Sequence, residues 1–118
     1  MITNDLIITM LATGYISAAL FATTDQNQDP LDDRFGPEDI DRASFDLIES
    51  DCTQFLALLP FDINDFDIEQ VGMDFYYTTA GHGVGFFDRG YKPEIAKELD
   101  KIARMFNQRN FYASIGCE

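Results

Sequence analysis

The amino-acid sequence predicts an α+β fold, in which a small three-stranded β-sheet packs against three to four helices. Apolar residues recur at three-and-four spacing in the N-terminal half and again near the C-terminus, as they do in amphipathic helices. A β-branched and aromatic run, residues 73–78, precedes a glycine-rich turn and a second apolar run, which is typical of a hairpin. The chain has 118 residues, of which 46% are hydrophobic, so we expect one domain, residues 1–118, with a sizeable core.

The first helix is expected from about Asn4 to Ala22, with Thr3 or Asn4 as its cap. The stretch from Leu6 to Thr24 carries no charge and is nearly long enough to span a membrane. However, hydroxyl side chains occur throughout it, and no Lys or Arg comes before Arg34, so it lacks the basic region of a signal peptide. These features favour a buried helix of a soluble protein over a membrane anchor.

A second helix is expected from about Arg42 to Leu59, capped by Asp41 and stopped by Pro60. The turn-rich segment before it holds Leu31 and Phe35, which we expect to hold that segment against the core. The apolar residues of the second helix form one stripe at helical spacing: Phe45, Ile48, Cys52, Phe55, Leu56 and Leu59.

The sheet is expected in the C-terminal half. A short third helix, Phe66–Val71, is capped by Asp65 and closed by Gly72. Strands follow at Met73–Thr78 and Val84–Phe87, joined by a tight turn at "AGHG".

A last helix begins at Pro93 and runs to about Gln108. Its inward-facing residues are expected to be Ile95, Leu99, Ile102, Met105 and Phe106. Phe111–Ile115 then forms the third strand, which the helical crossover places parallel to the second.

Charge is the strongest global feature of the chain. The net charge is −13, and the first 88 residues carry 17 acidic and 2 basic side chains, whereas the last 30 carry 4 acidic and 6 basic ones. Direct binding of nucleic acid is therefore disfavoured, because phosphates would be repelled. An acidic surface instead attracts a basic protein partner.

The cysteines and the single histidine give little support for catalysis. Cys52 and Cys117 are too few and too far apart for a disulfide framework or a zinc site, so we predict no metal and no cofactor. His82, in "DFYYTTAGHGVGFFDRGY", is a candidate general base with Asp74 or Asp88 to orient it, but no nucleophile accompanies it.

Other functions of this glycine-rich run remain open. A phosphate-binding loop is disfavoured, since the glycines lead into a predicted strand and not into a helix. A purely structural hairpin and an aromatic binding surface are the alternatives. The hairpin residues singled out are Asp74, Phe75, Thr78, Gly81, His82, Gly83, Gly85, Phe86, Asp88 and Arg89.

The same run resembles the signature of a family of short, acidic, mostly uncharacterised tailed-bacteriophage proteins, roughly Asp-Phe-Trp-x-Thr-x-x-Gly-His-Gly-x-Gly-Phe-Trp-Asp-Arg. The segments "ISAALFATTDQNQDPLDDRF" and "DCTQFL" resemble other parts of that family, in the same order. The chain departs from the signature at Tyr76 and Phe87, where the family has tryptophan. A more distant similarity links it to the anti-restriction proteins of plasmids. The resemblance implies a phage origin but no known activity. Together with a cysteine usage that fits a reducing cytosol, it leads us to expect the protein in the host cytoplasm.

These observations lead to one main hypothesis and two competing ones. The main hypothesis is an acidic interaction protein, not an enzyme, that inhibits a nucleic-acid-handling or defence enzyme of the host, with carboxylates that imitate DNA phosphates. The competing hypotheses are a small ligand-binding or enzymatic domain centred on His82 and a homodimeric accessory protein. The predicted partner-binding residues are Asp25, Asp29, Asp32, Asp33, Glu38, Asp39, Asp46 and Glu49.

Overall fold

The described part of the protein consists of helices. A computed structural model describes residues 3–22, 42–81, 86 and 90–106. It contains four helices, α1 (Asn4–Ala22), α2 (Arg42–Leu58), α3 (Ile68–Ala80) and α4 (Pro93–Ala103). These residues include no β-strand, so the fold is all-α and the predicted α+β class is wrong.

Helix α1 has the predicted bounds and packs mainly against α3. The Thr3 side chain accepts a hydrogen bond from the backbone N–H of Leu6 (3.2 Å), as an N-terminal cap does. Of the described helices, α1 alone is long and apolar enough to cross a membrane, and 50% of the 18-residue window Asn4–Phe21 is buried within the protein.

Two glycines allow α1 and α3 to approach closely. A Cβ atom at Gly14 would overlap the backbone carbonyl of Glu69, and one at Gly72 would overlap the carbonyl of Leu11. Each glycine therefore meets the backbone of the facing helix, and any larger residue would push the helices apart.

Helix α2 follows the predicted stripe. Ile48, Cys52 and Phe55 are buried, and the predicted flanking residues Phe45 and Leu56 pack half-buried against the core. The helix ends at Leu58, one residue earlier than predicted.

Helix α3 is the main correction to the predicted fold. Residues 68–71 of the predicted short helix Phe66–Val71 and the whole predicted strand Met73–Thr78 are parts of one helix. Asp67 and not Asp65 caps it, by accepting a hydrogen bond from the N–H of Gln70. Gly72 lies inside this helix and does not end it, whereas Gly81, with φ of 73°, is its C-terminal cap. The buried apolar residues of α3 have helical spacing, since they are Ile68, Val71, Phe75 and Tyr76.

The rings of the core converge on Phe75. Its ring stacks on Phe55 of α2 (centroids 4.3 Å apart) and meets Tyr15 of α1 edge-on (5.5 Å). Phe106, beyond α4, also meets Phe75 edge-on, at 5.3 Å. Phe75, a residue of the predicted strand, thus contacts aromatic rings of α1, of α2 and of the turn after α4.

Helix α4 begins at Pro93 as predicted and is shorter than predicted. It ends at Ala103, and a turn covers residues 104–106. Met105, predicted to face inward, is instead 67% exposed in this turn, whereas Phe106 packs against the core as predicted. Of the predicted second strand, Phe86 alone is described, and it is buried outside any strand; the predicted third strand, Phe111–Ile115, lies outside the described residues, as do Leu31 and Phe35.

Candidate functional site

A concave acidic cleft lies between α1 and α2. It has a volume of about 470 Å³, and α1 contributes Asp5, Ile8 and Thr9 to its wall. The α2 side of the wall consists of Asp46, Glu49, Ser50 and Thr53. Three carboxylates from two helices therefore border one cavity, which we call the acidic cleft.

The charged groups of the acidic cleft are carboxylates, and two of its hydroxyl groups form hydrogen bonds within their own helices. The Thr9 hydroxyl donates to the backbone carbonyl of Asp5 (3.0 Å), and the Thr53 hydroxyl donates to that of Glu49 (2.8 Å). Both hydroxyl protons are thus used within their own helices. What remains is a cavity whose fixed charges are negative, which suits a cationic group that enters from outside.

Asp46 already forms an ion pair with Arg42. The Arg42 guanidinium donates to its carboxylate at 3.0 Å, with the Arg42 and Asp46 side chains 86% and 54% exposed. An exposed pair of this kind contributes little to stability, so a partner's Lys or Arg can replace Arg42 at small cost. No group of three or more His, Cys, Asp or Glu residues suited to a metal occurs among the residues described.

The acidic cleft contains part of the predicted partner-binding set. Asp46 and Glu49 line it, whereas the other members lie outside the described residues: Asp25, Asp29, Asp32, Asp33, Glu38 and Asp39. Asp5 is not among the predicted residues, and its place in the cleft follows from the packing of α1 on α2. Asp51 lies on the core side of α2 and is 6% exposed, so it does not belong to this acidic surface.

The first part of the predicted hairpin, residues 74–81, is the end of helix α3 and its cap. Asp74, Phe75 and Thr78 are buried on α3, and Gly81 ends that helix. Phe86 is buried in the core and lies 6.4 Å from Phe55, centroid to centroid. The remaining residues of the predicted hairpin lie outside the described residues: His82, Gly83, Gly85, Asp88 and Arg89.

Asp74 is a fully buried carboxylate with hydrogen-bond donors from two parts of the chain. Gln70 Nε2, one turn earlier on α3, donates to Oδ1 at 3.0 Å. The Tyr91 hydroxyl donates to Oδ2 at 3.3 Å. Buried carboxylates are tolerated when such donors satisfy them. Asp74 therefore fastens the segment before α4 to α3, which gives it a structural role.

A second cavity lies beside this carboxylate. Its volume is about 530 Å³, and we call it the Tyr91 groove. Phe66 and Tyr91, with ring centroids 5.8 Å apart, form its aromatic wall. The full lining is Phe66, Asp67, Gln70, Gly90, Tyr91, Lys92 and Ile95. An apolar wall with a few polar groups at its edge is typical of a small-ligand site.

Cys52 is the remaining reactive side chain among the described residues, and it is inert. It is completely buried. Burial raises the pKa of the Cys52 thiol well above its ordinary value, and the nearby carboxylates of Asp51 and Glu49 raise the pKa further. The thiol therefore stays protonated and acts as a small core residue.

Comparison with known proteins adds no relative. No family model, no curated protein and no solved structure matches this chain.

Proposed function

We propose that this chain is an interaction protein whose acidic cleft receives a basic segment of a partner protein. The observation that carries the proposal is the cavity of about 470 Å³ with Asp5, Asp46 and Glu49 on its wall. A cavity with one sign of charge concentrates field lines and speeds the approach of an oppositely charged group.

The distribution of charge over the described helices supports this choice of surface. Asp5, Asp46 and Glu49 line the cleft, and no basic residue among those described does. On α4 and in the turn after it, three basic side chains balance three acidic ones, and two of the pairs are Lys101–Glu98 and Arg104–Asp100. A basic partner is therefore attracted more strongly to the α1–α2 side of the protein than to α4.

The resemblance of residues 74–89 to tailed-bacteriophage proteins directs the proposal towards a partner in the host cytoplasm. Among host proteins, enzymes that handle nucleic acid carry deep basic surfaces, because they neutralise phosphates. We therefore propose inhibition of such an enzyme, for example a restriction or defence nuclease, by carboxylates that occupy its phosphate contacts.

Two sets of variants test this proposal. The cleft set replaces Asp5, Asp46 and Glu49 by Asn, Asn and Gln; the control set replaces Glu69, Glu94 and Glu98 by Gln and removes the same number of charges from α3 and α4. Each protein is immobilised and exposed to host lysate at increasing salt, and duplex DNA serves as a competitor.

Capture of a DNA-binding enzyme that salt and duplex DNA both release is the expected result. The cleft set should then lower the association rate of that enzyme by about tenfold, while the control set changes it by about twofold or less. Equal losses in the two sets would mean that net charge alone drives the association. In that case the acidic cleft would not be the binding site.

A second candidate function rests on the Tyr91 groove. Its aromatic wall and its volume of about 530 Å³ suit a small aromatic or aliphatic ligand. Ligand-detected NMR with a library of such fragments tests it, with Ile95→Asp as the variant that should abolish binding. Fragments that bind both proteins equally would show that the groove is not their site.

A further inference from the structure

The Tyr91 groove carries one charged side chain of each sign. Among the described residues that line it, Asp67 supplies a carboxylate and Lys92 an ammonium group, and the other side chains are uncharged. Asp67 and Lys92 are both exposed, and neither forms an ion pair with the other or with any further described residue. The groove is therefore neutral as a whole, but it presents two separate charges to a ligand.

Backbone structure fixes where both charges stand. Asp67 is the N-terminal cap of α3, and its Oδ1 atom accepts a hydrogen bond from the backbone N–H of Gln70 at 3.2 Å. No described residue donates to the second oxygen, Oδ2, so it can accept a hydrogen bond from a ligand. Lys92 immediately precedes Pro93, the first residue of α4. Because the cap already orders the carboxylate, little further side-chain entropy is lost when a ligand binds it.

The apolar wall of the groove is also preformed. The Phe66 and Tyr91 rings are tilted by 43° with their centroids 5.8 Å apart, and Ile95 adds an aliphatic group from α4. The Tyr91 hydroxyl donates to the buried Asp74 at 3.3 Å, and its ring lies 5.9 Å from the buried Phe86 ring, centroid to centroid. A wall held in this way accepts a flat ring or a branched aliphatic side chain without rearrangement.

Charge distinguishes between the apolar ligands that fit this wall. An aromatic carboxylate is attracted by Lys92, but Asp67 and the net charge of −13 repel it. An aromatic amine is attracted by Asp67, but Lys92 repels it. A zwitterion places one charge against each group and carries no net charge for the rest of the protein to repel. The groove is therefore complementary to an apolar zwitterion.

We propose that the Tyr91 groove binds a free α-amino acid with a large apolar side chain. Its carboxylate pairs with Lys92, its ammonium group pairs with Asp67, and its side chain lies against Phe66 and Tyr91. This proposal rests on the second candidate function, the binding of a small ligand in the groove, and it is independent of the acidic cleft. Ion pairs with exposed side chains are weak, so the expected Kd is on the order of 100 µM.

Isothermal titration calorimetry of the full chain tests the proposal with three probes that share one aromatic ring: L-phenylalanine, 3-phenylpropionate and phenethylamine. The second probe lacks the ammonium group, and the third lacks the carboxylate. Each should bind about threefold to fivefold more weakly than L-phenylalanine, because it loses one ion pair and meets one like charge. The affinity for L-phenylalanine should change about twofold or less between low and high salt, because this ligand has no net charge.

Two variants assign the charges of the ligand to their partners in the groove. Asp67→Asn keeps a good helix cap, and it should weaken L-phenylalanine and phenethylamine about threefold but not 3-phenylpropionate. Lys92→Gln should weaken L-phenylalanine and 3-phenylpropionate about threefold but not phenethylamine. A merely structural effect of either substitution would act on all three probes alike.

The matched controls are Glu69→Gln and Lys97→Gln. These exposed side chains lie on α3 and α4 outside the groove, and each change removes the same charge as the corresponding groove variant. They should change the three affinities by less than about 1.5-fold, because exposed charges at a distance are screened. Circular dichroism confirms that each variant keeps its helices.

The possible failures distinguish this proposal from the candidate function on which it rests. Equal affinities for the three probes, unchanged in Asp67→Asn and Lys92→Gln, would overturn the proposal and leave the groove as a site for the apolar ring alone. Absence of binding of all three at about 5 mM, while library fragments still bind and Ile95→Asp abolishes their binding, would exclude an amino acid and keep the small-ligand function. If neither the probes nor the fragments bind, both fail.

Discussion

Gly14 of α1 lies directly against the backbone carbonyl of Glu69 on α3, with no space for a Cβ atom between them. The reciprocal contact joins Gly72 of α3 to Leu11 of α1. Close packing of these two helices thus depends on the absence of a side chain at two positions that lie far apart in the sequence.

Alanine at Gly14 or Gly72 should destabilise the protein. Helix propensity alone predicts that each change stabilises by about 1 kcal/mol. Overlap with the facing carbonyl should outweigh this gain and give a net loss of about 1–3 kcal/mol in the free energy of unfolding. Urea denaturation measures the change. Increased stability in either variant would contradict the close approach of α1 and α3.

Gly81→Ala is the matched control for the two helix glycines. Nothing lies within 4 Å of a Cβ atom at this position, but φ is +73°. The expected loss is therefore about 1 kcal/mol, from backbone strain and not from overlap. Gly81→Asn should lose less stability than Gly81→Ala, because Asn tolerates the left-handed conformation better than Ala does.

These glycines also show why the sequence alone gave a wrong fold class. The aromatic and β-branched run after Gly72 favours a strand, and Gly72 itself favours a helix end. Ile68, Val71, Phe75 and Tyr76 have helical spacing in the sequence, but a helix end at Gly72 divides them between a helix and a strand. Glycine is required at position 72 because the backbone of α1 packs against it, and this contact is visible only in the folded structure.

In contrast, the bounds of α1 and most of α2 were predictable. Both begin after a polar capping region, and both carry apolar residues at helical spacing without a competing turn signal. The acidic cleft was predictable only in part. Asp46 and Glu49 are recognisable as a polar face of α2, but the position of Asp5 opposite them depends on how the two helices pack.

The Asp74–Tyr91 hydrogen bond should contribute measurably to stability. Tyr91→Phe removes the hydroxyl that donates to Asp74 Oδ2 at 3.3 Å and keeps the ring. Because the acceptor is charged or strongly polar and fully buried, we expect a loss of about 1–3 kcal/mol in the free energy of unfolding. A change below about 0.5 kcal/mol would show that this bond does not hold the segment before α4 to α3.

Thr78→Val should stabilise the protein by about 1 kcal/mol. The Thr78 hydroxyl is buried and has no hydrogen-bond partner among the described residues, so an apolar group of the same shape removes a desolvation cost. Thr79→Val is the control on the same helix, because the Thr79 hydroxyl donates to the Tyr76 carbonyl at 2.8 Å. It should have no stabilising effect. Thermal denaturation of both variants checks the difference in sign.

Cys52 should be unreactive in the folded protein. In a Cys117→Ser background, Ellman's reagent at pH 8 should modify it only as the protein unfolds, because the thiol is buried and its pKa is raised. Rapid modification under native conditions would contradict its place in the core. Addition of guanidinium chloride provides the positive control for labelling.

The same raised pKa predicts a dependence of stability on pH. The unfolded thiol ionises near about pH 8.5, whereas the folded thiol stays protonated beyond that pH. Its contribution to stability is therefore complete below about pH 8.5 and declines by about 1.4 kcal/mol per pH unit above it. Between pH 7 and about pH 10, the stability difference between Cys117→Ser and Cys52→Ala/Cys117→Ser should shrink. Parallel stability curves would contradict the raised pKa.

The packing of α1 on α3 also affects the protein during its synthesis. Translation produces α1 before α2 and α3, and at about 5–20 residues per second the ribosome needs seconds to complete those two helices. Until then α1 is an apolar segment, almost without charge, whose main packing partner does not yet exist. Its burial is therefore a late, long-range event in folding. During that interval the nascent chain presents the kind of surface that chaperones recognise.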